Sequence, residues 1–508
     1  MRFLNLHRIT LALLLTAALG LVGCRDAHEE MREDTQEQFA THLQVTIRIN
    51  ADAGHGTRAA GPDGGEDGDG REPGVNHEND VDNVTLLLYQ DDDGINTTND
   101  NTTIRYAFYT RELTRMDTDL GGGKKVITYT SKMLNYREPV AQGTYHVLVL
   151  ANVGCRTDLE GKKLSEVREL TTADLTTPPY TLTYDAATGV PDIANAANFV
   201  MTSVNDVSVT IEGDGGLEHI KNVTANVERL AARIDFSPGL LADAEHPQDK
   251  DHAVWTKGED VTAEIEGVST TKKLTGYKYV VRTVTDGTPI ATNDRFILTG
   301  VTPFNCLKSG TYYIKRVMNT LGSGAKELKY LGDEQTDADG NGINYVVDPW
   351  TDQKSLDTPI SGIGYRNPLT SPEELLPEAN RWPVKAPSAL APVDVNPKGL
   401  EYYILDYTQE NTLPPGYGKE HYATGLQFSG YYGHWDEVTH TYTYKPQNYH
   451  YYIRHADPNN SSNEGLPMKY GVVRNNIYRI HVGSVNSLGQ IEIVVSEWNR
   501  IDVPGIQL

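Results

Sequence analysis

The sequence predicts an all-β protein of two β-sandwich domains, with short helices confined to loops. Three observations point there. Segments that alternate apolar and polar residues with a period of two recur along the chain, while apolar patterns of helical period are few and short. The 29 tyrosines far outnumber the 8 phenylalanines in a chain rich in Thr, Asn and Gly. Aromatic and β-branched residues suit a pleated, half-buried surface. The length, 508 residues, suffices for two or more domains once the tails are set aside.

The N-terminus comes first. Arg2, His7 and Arg8 precede the apolar run ITLALLLTAALGLVG, which is too short and too closely followed by charge to read as a membrane span. The run ends in LVGC, Leu21 to Cys24, which resembles the lipobox of bacterial lipoproteins. That resemblance implies a signal peptide over residues 1–23 and a lipid, such as palmitate, on Cys24. An ordinary signal peptide followed by a chance cysteine is the alternative. RDAHEEMREDTQEQ then reads as a charged, flexible tether.

The first strand is HLQVTIRIN, residues 42–50. Leu43, Val45, Ile47 and Ile49 face one way, and Gln44, Thr46, Arg48 and Asn50 the other, so one face should be buried in a sheet. Four such side chains contribute roughly 6–12 kcal/mol gross, at about 1.5–3 kcal/mol each. Residues 61–82 hold eight acidic residues among many glycines. Such a composition is expected not to bury enough apolar surface to order itself.

Strands are expected at VDNVTLLLYQ (81–90), TIRYAFYT, KKVITYT, GTYHVLVLANVG (143–154), NFVMTSVNDVSVTI and NVTANVERLAARIDF, with a loop at DDDGINTTNDN. LEGKKLSEVREL is the best short helix, since Leu159, Leu164, Val167 and Leu170 lie near helical spacing. After about residue 236 the pattern restarts, dividing the chain into domains 59–236 and 237–508. Further strands are expected at KLTGYKYVVRTV, RFILTG, TYYIKRVM, GLEYYILDYT, TGLQFSGYYG, YHYYIR, NNIYRIHVGSV and QIEIVVSEW, with Pro-rich loops such as 381–399 between them. Cys155 and Cys306 lie far apart and read as buried free thiols, too few for a disulfide framework.

Lys+Arg total 45 and Asp+Glu 69, for a formal charge of −24. That argues against nucleic-acid partners, whose phosphates need basic residues, and against binding to anionic lipid surfaces.

Several segments together resemble the fimbrillins, the lipoprotein-derived fimbrial subunits of Bacteroidales. They are LVLANVG to LEGKKLSEVRELTTADL (148–175), NFVMTS (198–203), VERLAARIDF (227–236), YGVVRNNIYRIHVGSV (470–485) and VSEW near the end. Their order also agrees. The second half, including YTQENT (407–412), resembles the minor-fimbrium shaft subunit more closely. The resemblance implies two transthyretin-like β-sandwich domains and a precursor lipoprotein of the outer membrane. It also implies an arginine-specific protease that removes the N-terminal segment with its first strand, so that a neighbour's strand fills the groove. The partners implied are further copies of the chain in a head-to-tail polymer, accessory tip and anchor subunits, and host or bacterial surface receptors. Adhesion, biofilm formation and virulence follow as expected roles. No cofactor is required, and the membrane is touched only through the precursor's lipid.

On this sequence the implied cut falls in GTR-AAG, after Arg58 and before Ala59, releasing a propeptide of residues 24–58. Arg48 and Arg71 are rival sites. Arg48 lies inside the strand, and Arg71 precedes Glu72-Pro73. The displaced strand would carry Leu43, Val45, Ile47 and Ile49, leaving wetted apolar surface and unmet backbone groups. A strand from another copy would repair both, and a contact in which each subunit gives and receives generates filaments. The family's donor is its C-terminal end. Here QIEIVVSEW offers Ile491, Ile493 and Val495 on one face, and the terminal Ile501, Val503, Ile506 and Leu508, interrupted by Pro504, are the expected donor. A plain closing strand with a short tail is the alternative.

DADGNGINYVVD (337–348) matches a calcium-loop pattern. Asp337, Asp339 and Asn341 would give side-chain oxygens, Ile343 its carbonyl, and Asp348 would close the cage around Ca2+. No convincing helices flank it, and a solvated turn is the alternative. Tyr431, Tyr432, Tyr442, Tyr444, Tyr449, Tyr451, Tyr452 and Trp435 crowd one region, where cross-strand pairing is expected over stacking on sugars. No nucleophile elbow, zinc-binding His pair, P-loop or dinucleotide fingerprint stands out, so no enzyme is expected. Against the polymerising shaft subunit stand two alternatives: a glycan-binding surface lipoprotein, and an anchor or tip subunit of the same fimbria.

Overall fold

The computed structural model describes residues 42–49, 76–90 and 491–496 and, with gaps, 102–170, 198–241, 253–318, 329–346, 365–411, 422–453 and 470–486. The described chain is nearly all β. Its helices are α1 (Asn76–Asn79), α2 (Leu164–Glu169) and a 3-10 turn at Thr157–Leu159. The helix read from LEGKKLSEVREL is this last pair, with Leu159, Leu164 and Val167 buried in the core.

Ten strands form the first sheet: β1 (His42–Ile49), β2 (Val84–Tyr89), β3 (Ile104–Thr110), β4 (Leu113–Gly121), β5 (Lys124–Ser131), β6 (Leu134–Asn135), β7 (Gly143–Ala151), β8 (Met201–Ser203), β9 (Val207–Ile211) and β10 (Lys221–Arg229). Their order is β3-β2-β7-β8-β10-β1-β5-β4, with β6 beside β1 and β9 beside β7. β2 is buried at every residue, as a strand covered on both faces must be. β4 was missed by the sequence reading. It is an edge strand whose residues are mostly polar and exposed, so its alternation carries no core signal.

The second sheet is built on β11 (Ala231–Ser237), β12 (Val254–Ile265), β13 (Val268–Thr285), β14 (Thr288–Phe304), β15 (Glu401–Gln409), β16 (Gly425–Asp436), β17 (Thr441–Tyr452), β18 (Ile477–Asn486) and β19 (Ile491–Ser496). The order is β14-β16-β17-β12-β13-β18-β11-β15, capped at its ends by Trp382–Pro383 and Asp394–Val395, with β19 on β18. β13 also pairs with β14, which closes β14-β16-β17-β12-β13 into a ring of five. Val261, Ala263, Leu274, Ile297 and Tyr444 of these strands pack together. Register shifts in β12, β13 and β14 supply the bends that closure requires. At Gly276 a Cβ would lie 1.9 Å from the Leu298 carbonyl oxygen, so only glycine fits that approach.

Three expectations need correction. The boundary expected after residue 236 lies one strand earlier, because Ala231–Ser237 pairs with β15 and β18 of the second sheet. Val223, Ala225 and Val227 bury into the first core, and Ala232, Ile234 and Phe236 into the second. The buried parity slips from odd to even across Leu230, which is where NVTANVERLAARIDF divides into two strands. The expected disorder over 61–82 fails at its C-terminal end. There α1 is ordered with Glu78 and Asn79 buried, because ion pairs and hydrogen bonds substitute for apolar burial. Cys306 is buried and free as expected, but Cys155 is neither: it is only half-buried and its sulfur is disulfide-bonded, 3.4 Å from the Thr157 hydroxyl.

Candidate functional site

The first strand lies near the middle of its sheet. β1 runs parallel to β10 from Leu43 opposite Lys221 to Ile49 opposite Val227. On its other side it runs antiparallel to β5 over Thr46–Ile49 and to β6 over His42–Leu43. The period-two pattern is realised in full: Leu43, Val45, Ile47 and Ile49 are 0% exposed. Arg48 points to solvent, but its backbone is laddered on both sides, which hinders the extended fit a protease needs.

The ladder on the β5/β6 side has a gap, and Ser131 spans it. Val45 donates its backbone N–H to Ser131 Oγ at 3.1 Å, and Gln44 Nε2 donates to the Ser131 carbonyl at 3.0 Å. The Ser131 hydroxyl donates to the Lys132 carbonyl at 2.6 Å, so toward β1 it acts as an acceptor. One residue on, the hydroxyls of Thr46 and Thr130 are 3.2 Å apart. β1 therefore sits on an apolar floor and is flanked by backbone edges on both sides, with a polar mark at Gln44–Thr46. Nothing in the alternation of residues 42–50 announces that mark, since Ser131 lies on a different strand.

Beside the slot, α1 ties the chain that follows residues 50–75 to the joint between the two halves. Arg233 Nη1 donates to both Glu78 carboxylate oxygens at 3.1 Å, and its Nε and Nη2 to Asp235 at 2.9 Å. Tyr407 Oη donates to Glu78 Oε1 at 2.7 Å, and Arg229 Nε to the Glu78 carbonyl at 2.7 Å. Burial, then the Glu78 charge, pushes the Tyr407 hydroxyl far above the ordinary tyrosine range. Ile404, Tyr407 and Val473 of the second half pack into the core of the first. Sequence reading missed this cluster because its residues are scattered over α1, β10, β11 and β15.

The remaining sequence candidates fall unevenly. Cys24, Arg58 and Ala59 lie outside the described residues, as do the terminal Ile501, Val503, Ile506 and Leu508. So does the set Asp337, Asp339, Asn341, Ile343 and Asp348 expected for calcium. Among the described residues no group of three or more His, Cys, Asp or Glu could hold a metal, and no helix is long and apolar enough to cross a membrane. The tyrosine-rich region is β16 paired with β17. Trp435 and Tyr442 face each other across the strands with ring centroids 4.7 Å apart, and Tyr449 meets Phe296 edge-on at 5.0 Å. Trp435 and Tyr442 thus form a cross-strand pair of the expected kind, while Tyr449 packs into the core on Phe296.

Two family models match this sequence. The family model for the major fimbrial subunit protein FimA matches residues 44–234, from within β1 into β11. The model for the C-terminal part of fimbrillin, the type IV major fimbrial subunit protein, matches residues 440–503. No curated protein matches. Among solved structures, a candidate cell adhesion protein from Parabacteroides distasonis is 12% identical over 90% of this chain and 97% of its own, with a TM-score of 0.36. The tip fimbrial protein Mfa3 from Porphyromonas gingivalis, C-terminally truncated, is 9% identical over 90% and 99%, with a TM-score of 0.30. A candidate cell adhesion protein from Bacteroides eggerthii is 11% identical over 91% and 96%, with a TM-score of 0.33. Overlaps this loose carry no weight beside the two family models. Matched in chain order at both ends of an all-β chain, those models identify it as a member of the fimbrillin family of fimbrial subunits.

Proposed function

We propose that the chain is a structural subunit that polymerises into a cell-surface fimbria by protease-triggered strand exchange, supporting adhesion and biofilm formation. The precursor is carried to the outer membrane by a lipid on Cys24. An arginine-specific protease cuts after Arg58, β1 leaves with the propeptide, and the C-terminal segment of a second copy takes its place.

The observation that supports this reading most is the position of β1. It is the first strand among the described residues, so no later described element depends on it for covalent continuity, yet it is buried between two other strands. Its departure would leave the edges of β10 and β5 facing each other across an open apolar floor, and burial of that floor drives refilling.

The test is direct. The purified precursor is treated with an arginine-specific protease, and the new N-terminus and the assembly state are measured. The expected result is a chain beginning at Ala59 that forms head-to-tail polymers, while Arg58→Ala stays monomeric. A precursor that polymerises equally well uncut would refute the proposal.

A further inference from the structure

The slot's backbone cannot by itself choose the direction of an occupant. β10 runs parallel to β1 and β5 antiparallel to it, so β10 and β5 are antiparallel to each other. Any strand between them is parallel to one and antiparallel to the other, whichever way it enters. Side chains must set direction and register, and the asymmetric feature available is Ser131. Its hydroxyl takes the Val45 N–H and its carbonyl takes the Gln44 amide. With its own proton committed to Lys132, Ser131 accepts from an occupant at two adjacent residues: an outward carboxamide, then a core-facing residue with a free N–H.

That demand can be compared with the C-terminal sequence. β1 reads Gln44-Val45-Thr46-Ile47-Arg48-Ile49, and the chain repeats the form as Gln490-Ile491-Glu492-Ile493-Val494-Val495. The three apolar residues fall on the places of Val45, Ile47 and Ile49. Glu492 falls on the place of Thr46, where a carboxylate would accept from the Thr130 hydroxyl. The terminal residues fit poorly. Gln507 precedes only Leu508, and Pro504 shifts the apolar parity between Val503 and Ile506 and lacks an N–H. β19 (Ile491–Ser496) also stands to gain: among the described residues it pairs only with β18, whereas the slot offers a ladder on each side.

We infer that the occupant of the slot is β19 of a second copy, entering in the direction of β1, with Gln490 and Ile491 seated on Ser131 in the places of Gln44 and Val45. This rests on the strand-exchange reading above and names its partner segment and register. Ser131 is then the specificity-determining residue of the slot.

The experiment uses the full chain cut after Arg58 and freed of its N-terminal fragment. Three labelled peptides are titrated: 42–50, 488–497 and 499–508. The expected result is that 42–50 and 488–497 bind and 499–508 binds at least about tenfold more weakly. Replacing the Ile491 amide of 488–497 by an ester removes the N–H. It should cost about tenfold on the wild-type chain and on Ser131→Thr, but less than about twofold on Ser131→Ala. Gln490→Ala in the peptide, read on the wild-type chain, should cost about fivefold and needs no protein variant. Equal or tighter binding of 499–508, an ester penalty unchanged in Ser131→Ala, or no loss with Gln490→Ala would overturn the assignment while leaving strand exchange intact. If none of the three peptides binds, the strand-exchange reading falls with it.

Discussion

Ile47→Ala offers a quantitative test of how β1 is held. Ile47 is wholly buried, opposite Ala225 on β10 and Tyr129 on β5, so truncation leaves a cavity between two strands with little freedom to collapse. Such losses run at about 2–5 kcal/mol. In the uncut chain β1 is covalently joined through residues 50–75 to the rest of the protein, and a covalent tether maintains an effective concentration on the order of millimolar. Cutting after Arg58 replaces that with the free concentration. At about a micromolar the change is roughly a thousandfold, or about 4 kcal/mol. The substitution then multiplies the loss by about thirtyfold to about four-thousandfold, at about 1.4 kcal/mol per decade. Release of the N-terminal fragment after the cut, followed by size exclusion and mass spectrometry, reads this directly. Thr46→Ala is the control: it removes only the contact with the Thr130 hydroxyl, about 0.5–1.5 kcal/mol, or roughly tenfold at most. Should the Ile47→Ala fragment leave no faster than the Thr46→Ala fragment, burial of β1 is not what retains it.

Three further outcomes are expected. Glu78→Ala takes one carboxylate from Arg233 and the acceptor from Tyr407. Because Asp235 still pairs with Arg233, the loss in urea unfolding should be about 3 kcal/mol, with Glu78→Gln clearly milder. Gly276→Ala drives a methyl into the Leu298 carbonyl at the ring closure and should lower stability by about 1–3 kcal/mol or more, visible as a lower Tm. The Cys306 thiol is pushed up to about 12 by burial, against the weaker opposing pull of Arg366. Iodoacetamide at pH 8 should therefore leave Cys306 unmodified in the folded chain and alkylate it in urea, as mass spectrometry of the peptide would show.

The sequence reveals what period two encodes and hides what depends on distant partners. Leu43, Val45, Ile47 and Ile49 announce a half-buried strand, and all four are in the core. β12 is hidden because VWTKGEDVTAEI carries Lys257, Glu259, Asp260 and Glu264 and bends between Thr256 and Glu259. The parity slip across Leu230 was present in the letters, but an unbroken run of small and apolar residues masked it. The closed ring of five strands leaves no local trace except glycines such as Gly276, whose meaning depends on Leu298 being opposite. Glu78 looked like one more acid in a spacer. Its burial follows from Arg229, Arg233 and Tyr407, which are more than a hundred residues away.

If strand exchange proceeds as proposed, a central strand such as β1 suits an irreversible switch better than an edge strand would. An edge strand that leaves exposes one row of backbone groups, and water can satisfy it at modest cost. Removing β1 exposes two rows, on β10 and on β5 with β6, and at once uncovers the floor that four buried side chains had filled. The vacated state is therefore high in free energy, and any well-matched strand lowers it. On the proposed mechanism, the tethered β1 would outcompete a second copy before the cut through effective concentration alone. After the cut, competition would be decided by fit and abundance, with the fragment diluting away while subunits accumulate. On this account the sequence of β1 need not be weak for exchange to proceed, which reconciles a well-formed strand with its disposal. A precursor whose β1 was replaced by its own residues 488–497 should then stay monomeric until cut and polymerise afterwards at a rate close to that of the natural chain, as light scattering would follow. A replaced chain that polymerises without cleavage would show that sequence, and not the tether, holds the slot closed.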